Sequence, residues 1–267
     1  GDPAHDLHND AFYHDLLRRV KAGEFSVIFA APPCSTFSIS RFFAHARGGK
    51  PLRDRHHVYG LPGLSPANAA KVNAVNALVI RTCTLLKAGW DVGTQFVIEN
   101  PVDRGDRSLA RTFMHDSHGP LWLFPEVQQL ESACSASHVT FPMCEFGAPY
   151  QKNTTLSYTA GLDRYLDPLR GLNCSHLTHA SAAGGTLSED GKWNSSEAAA
   201  YPPAFNFYIA KALASLTTSP LTSSAPSSTI RLRGGGDSAA TSPAAGDPAV
   251  TTSPRRTLDT DVAHTPR

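Results

Sequence analysis

The residues of this chain best equipped for chemistry are a cysteine at position 34 and a glutamate at position 99. Cys34 stands in Ala31-Pro32-Pro33-Cys34-Ser35-Thr36-Phe37-Ser38, immediately after an apolar run over residues 25–31. A proline-stiffened loop leaving a strand exposes a thiol, and an accessible thiolate is a nucleophile. Glu99 ends a second apolar run in Gln95-Phe96-Val97-Ile98-Glu99-Asn100-Pro101. A carboxyl group sharing a half-buried pocket with that thiol would have its pKa raised and would hand on a proton near neutral pH. The pair has the makings of covalent catalysis with acid assistance. Residue types alone also fit a small buried cysteine and a turn-capping glutamate.

For the two to meet, the intervening elements must deliver both to one edge. Residues 1–214 alternate helical and strand signals, the pattern of an α/β domain with a largely parallel sheet. With Asn9 as cap, Phe12, Leu16, Leu17 and Val20 fall on one helical face, and Gly23 ends the run. Residues 25–31 then read as a buried strand stopped by Pro32-Pro33. Ser65 caps a long helix with Pro66 at its first position, apolar residues from Val72 to Leu86, and Gly89 at its end. Residues 95–98 follow as a second buried strand. Two parallel strands joined by a helix have their carboxyl ends at the same edge of the sheet, where open α/β sheets bind ligands. From residue 215 the chain turns to Ser, Thr, Pro, Ala and Gly without aromatic residues, so 215–267 is expected to be a disordered tail. Within it, Ile230-Arg231-Leu232-Arg233-Gly234-Gly235 resembles the end of ubiquitin, a string short enough to be coincidence.

The string Pro-Pro-Cys-x-x-Phe-Ser after an apolar strand resembles the nucleophile motif of the cytosine-5 DNA methyltransferases. Phe96-Val97-Ile98-Glu99-Asn100-Pro101 resembles their Glu-Asn motif, in the same order and with one long helix between. Gly147-Ala148-Pro149-Tyr150-Gln151-Lys152-Asn153 resembles their Gly-x-Pro-Gln-x-Arg segment, with Tyr150 inserted and Lys152 replacing the arginine that contributes to the target pocket. Asp6 sits where the family has an acidic residue contacting the adenosine of the methyl donor, and Glu197-Ala198-Ala199-Ala200-Tyr201-Pro202 with a helix over 205–213 matches the fold's closing helix.

The resemblance implies a Rossmann-like, S-adenosylmethionine-dependent methyltransferase fold, N-terminally incomplete, with a small irregular target-recognition lobe within residues 102–190. Cys34 would be the thiolate that adds to cytosine C6, Glu99 the acid at N3, and Lys152 a member of the target pocket. Asp6, Pro32, Pro33 and Asn100 would lie at S-adenosylmethionine, with Asn100 also fixing the cysteine loop. The partner would be DNA whose target base leaves the duplex. Two departures stand out: Ser35 replaces the family's usual glutamine, and the Phe-x-Gly-x-Gly turn is missing before Cys34. The chain thus reads as a fragment of a longer frame or as a domain that has lost methyl transfer.

The bulk properties bound these readings. A chain of 267 residues, 41% hydrophobic and 18% charged, suits an α/β domain with a polar tail. A formal net charge of +1 excludes a broadly basic, nucleic-acid-coating surface and leaves room for a local patch. Arg41, Arg47, Lys50, Arg53 and Arg55 are expected to form that patch and to track phosphates, unless they are a solvated loop. Five cysteines, an odd number without regular short spacing, point to a reducing compartment. No apolar run long enough for a span and no basic-then-apolar N-terminus occurs, so the expected location is intracellular, nuclear or cytoplasmic, and neither secreted nor membrane-bound. Nothing in the sequence sets the oligomeric state. Cys144 with Cys174, His176 and His179 offers the four donors of a zinc site, but the spacing is not standard, and satisfied surface histidines with an ordinary buried cysteine are the expected reading. Two rivals to the methyltransferase reading are a non-catalytic DNA-binding remnant, supported by the missing glycine turn, and a thiol hydrolase pairing Cys34 with His56, His57 or His115.

Overall fold

The computed structural model describes residues 5–43, 49–180 and 200–218. Arg47, the 197–199 part of the closing-helix match, and the expected tail beyond residue 218 with its ubiquitin-like string lie outside the described residues.

Helix α1 (Asp10–Lys21) starts where Asn9 caps it, the side chain accepting the Ala11 and Phe12 N–H groups. It buries Tyr13 and Val20 against Leu85 of α2 (Pro66–Trp90). Helix α2 opens on Pro66 behind Ser65, whose hydroxyl accepts the Asn68 N–H at 3.4 Å. Between the two helices runs β1 (Val27–Ala30), and β2 (Gln95–Pro101) follows α2. The chain continues through α3 (Pro125–Cys134), β3 (Ser137–Pro142), β4 (Asn153–Tyr158), the single turn α4 (Asp163–Leu166) and α5 (Pro203–Thr218).

The four strands form one sheet in the order β1-β2-β4-β3. The fold is therefore mixed α/β, but the expectation of a largely parallel sheet is corrected: β1 and β2 are parallel, while β4 runs antiparallel to both of its neighbours. The cause is the short link between β3 and β4, which permits only an antiparallel return. Within the span expected to hold the recognition lobe, Ser137–Pro142 and Asn153–Tyr158 are sheet strands, and α3 packs with α2 on one face.

Two further expectations change for stated reasons. The first strand was expected to be buried, yet all four residues of β1 are only partly covered, because β1 is the sheet's edge in the described residues. The second strand extends past Ile98 to Pro101, because β4 pairs with it as far as Pro101↔Thr154. Helix α5 likewise passes the expected start of the tail at 215 and ends at Thr218. The side-chain alternation of β2 then decides what faces what. Phe96 and Ile98 pack with Val79 and Leu86 of α2, while Val97 joins Phe205 and Ile209 of α5 on the other face.

Candidate active site

Because β1, β2 and β3 share one direction and β4 the opposite one, the ends of the first three and the start of β4 lie at the same sheet edge. Cys34 leaves β1 there, Glu99 and Asn100 end β2, and Lys152 immediately precedes β4.

Cys34 opens a single 3-10 turn, Cys34–Thr36, behind Pro33, and is half-buried. The residues around it are held from elsewhere in the chain. Asn100 donates its amide to the Pro32 carbonyl at 2.9 Å, and Arg41 Nε donates to the Ser35 carbonyl at 2.6 Å. Arg53 Nε donates to Thr36 Oγ1 at 3.1 Å, and its guanidinium lies 4.2 Å above the Phe37 ring. His118 closes the set. Its Nδ1 accepts the Arg104 N–H at 3.0 Å, which leaves Nε2–H to donate to the Phe37 carbonyl at 2.9 Å. Braces on residues 32, 35, 36 and 37 fix the loop that presents the thiol.

Glu99 lies on the α5 face of β2, by the same alternation that places Val97 there. It is 5% exposed, and its Oε2 accepts the Tyr201 hydroxyl at 2.7 Å. Lys152 Nζ stands 3.8 Å from Oε1 and 5.7 Å from the Tyr201 ring centre. Oε1 itself is buried without a hydrogen-bond partner among the described residues.

Burial pushes the Glu99 carboxyl up, against the pull of the Lys152 charge and the Tyr201 hydrogen bond. Burial also pushes the Cys34 thiol up, while the Lys152 charge draws it down and the Glu99 charge raises it further. Tyr201 is held far above its ordinary range by burial and by Glu99, so it remains a donor. The four groups therefore form one electrostatic unit. A proton resting on Glu99 removes the charge that opposes Cys34 ionisation and leaves the Lys152 cation to favour the thiolate.

Compared with models of protein families, with curated proteins and with solved structures, the chain matches none.

The remaining expected site residues fall less neatly. Pro32 is buried and Pro33 exposed beside Cys34. Asp6 is exposed on the turn leading into α1, where its carboxylate accepts the His8 N–H at 2.9 Å. The expectation that Arg53 faces phosphates is corrected: it is 1% exposed, and beyond Thr36 it donates to the Val58 carbonyl, to Asn76 Oδ1 at 2.7 Å and to the Val72 carbonyl at 3.3 Å. A guanidinium has more donors than any other side chain, which suits it to lacing a loop to a helix. Arg55 is paired with Asp103 at 2.8 Å and Arg41 is half-buried in the cysteine loop, so of that basic stretch only Lys50 is exposed among the described residues. His57 is engaged with Asp54 at 3.0 Å, and His115 Nδ1 accepts the Ser117 N–H at 3.1 Å.

A cavity of about 680 Å³ opens beside the end of β3 and the start of β4, lined in part by Arg111, Thr140, Gln151, Asn153 and Asn173. It flanks Lys152 in sequence, but Cys34 and Glu99 do not line it. No helix among the described residues is long and apolar enough to cross a membrane. Sequence reasoning missed Arg53 and His118 as braces and Tyr201 as the partner of Glu99. Tyr201 is separated from Glu99 by 102 positions, and no local pattern announces such a contact.

Proposed function

We propose that this chain carries the base-activating portion of a DNA (cytosine-5)-methyltransferase-like domain, with Cys34 the nucleophile and Glu99 the acid. The observation that carries the reading is the buried Glu99 Oε1, ion-paired with Lys152 but without a hydrogen-bond partner among the described residues, next to the strand end that presents Cys34. A buried carboxyl oxygen without a partner is costly unless a ligand completes it. The ring nitrogen N3 of cytosine is such a ligand when Glu99 is protonated.

The chemistry then follows from the residues. The Cys34 sulfur bonds to C6 and the C5–C6 electron pair moves to C4–C5, while the C4–N3 pair moves to N3 and takes the Glu99 proton. Lys152 stabilises the thiolate beforehand and the Glu99 carboxylate afterwards. Tyr201 holds Oε2 so that Oε1 faces the base. The braces on the cysteine loop keep sulfur and acid in register. The half-covered apolar residues of β1 at the sheet edge favour a Rossmann-like sheet that is completed by a further strand.

For the methyl donor that the reading implies, S-adenosylmethionine, two of the described residues expected to hold it already have hydrogen-bond partners. Asp6 is exposed with one carboxylate oxygen accepting the His8 N–H, and Asn100 is buried with its amide nitrogen donating to the Pro32 carbonyl. We therefore assign this chain the addition step alone. The same engaged side chains favour a second reading, a non-catalytic remnant. Exchange of the cytosine C5 hydrogen with solvent separates the two, since reversible addition at C6 makes C5 basic without any donor. Exchange that depends on Cys34 supports the proposal, and its absence supports the remnant.

A further inference from the structure

Away from the Cys34 cluster, the turn after β3 and the segment following residue 171 bring four metal-binding side chains together. One donor atom from each of Cys144, Cys174, His176 and His179 lies within 4.8 Å of all the others. Cys174 Sγ is 3.6 Å from His176 Nδ1 and 3.4 Å from His179 Nε2. A tetrahedral ion with Zn–S of about 2.3 Å and Zn–N of about 2.05 Å places its sulfur and nitrogen ligands about 3.6 Å apart. The side chains are thus spaced as ligands around an ion rather than as chance neighbours. A second observation also asks for positive charge: Glu145 Oε1, buried without a hydrogen-bond partner among the described residues, lies 3.7 Å from His176 Nδ1.

We propose that Cys144, Cys174, His176 and His179 hold one structural zinc ion. Two thiols and two imidazoles suit a borderline-soft cation that prefers four ligands, and a closed set of four protein ligands is the structural type. On binding, both thiols release their protons to solvent, so two thiolates balance the charge of the ion. The ion would fasten the segment around Cys174 to the turn Met143–Phe146. That turn is tied to the active site, because the Met143 N–H donates to the Lys152 carbonyl at 2.9 Å. The proposal does not rest on the assignment of Cys34.

The test is metal analysis of the full chain purified under reducing conditions, with Co(II) titration as an optical probe. We expect about one zinc per chain, lost in Cys174→Ser and in His179→Ala, and a cobalt spectrum with intense tetrahedral ligand-field bands and thiolate charge transfer. The cobalt spectrum reads the ligand set in the unaltered chain, so it decides even if a variant fails to fold. Absence of bound zinc, full retention by soluble Cys174→Ser, or a weak octahedral cobalt spectrum would overturn the site.

Discussion

Replacing Arg53 by alanine tests whether the cysteine loop is braced from within. The side chain donates to Thr36 Oγ1, Asn76 Oδ1 and the carbonyls of Val58 and Val72, and it covers the Phe37 ring. Truncation strands three well-made acceptors, each worth about 1–2 kcal/mol when buried and unpartnered. It also forfeits a desolvated cation–π contact of about 1–2 kcal/mol. Against this, removing the charge recovers the burial cost that pulls the guanidinium down to about 10, roughly 3–4 kcal/mol at about 1.4 kcal/mol per unit. The net loss is about 1–4 kcal/mol, which for a domain of this size lowers Tm by roughly 2–15 °C. Thermal unfolding followed by circular dichroism reads this directly. Under the proposed function, binding to DNA should keep its salt dependence in the variant, since a buried arginine neutralises no phosphate. An unchanged Tm together with a flattened salt dependence would refute the bracing role and return Arg53 to the surface patch.

Two other outcomes follow from the site. The folded-state pKa of Glu99 is raised, so its contribution to stability is present below the ordinary carboxyl range and is lost as pH rises through the folded value. Glu99→Gln removes that loss and should raise Tm at neutral and higher pH while leaving little C5 exchange; a variant less stable at pH 8 would contradict the raised pKa. Calorimetric titration with S-adenosylmethionine should show no binding in the micromolar range, because Asp6 and Asn100 are already engaged; clear binding would mean that other residues form a donor pocket.

Legibility differed between levels of structure. Helix α2 is plain from Ser65, Pro66 and its apolar spacing, because its signals are local. The ends of β1 and β2 are plain from prolines that follow apolar runs. The insertion of β4 between β2 and β3 is not, since pairing partners are chosen by the whole sheet rather than by either segment. Within the site, Cys34, Glu99, Asn100 and Lys152 are legible through motif resemblance, and the sheet brings them to one edge. Arg53 reads from sequence as one of several loop cations, and only its burial shows it to be a clip. His118 and Tyr201 act across long stretches of chain, through contacts with Phe37 and Glu99 that carry no spacing signal.

The measurement that bears most directly on the central claim is release of tritium from DNA labelled at cytosine C5, using duplex, mismatched and single-stranded substrates without a methyl donor. Substrates whose target base is already unpaired should react fastest, since they spare the cost of extrusion. The account predicts time-dependent release by the full chain, none by Cys34→Ser and little by Glu99→Gln. Release that is absent on every substrate, or equal in Cys34→Ser, would contradict it.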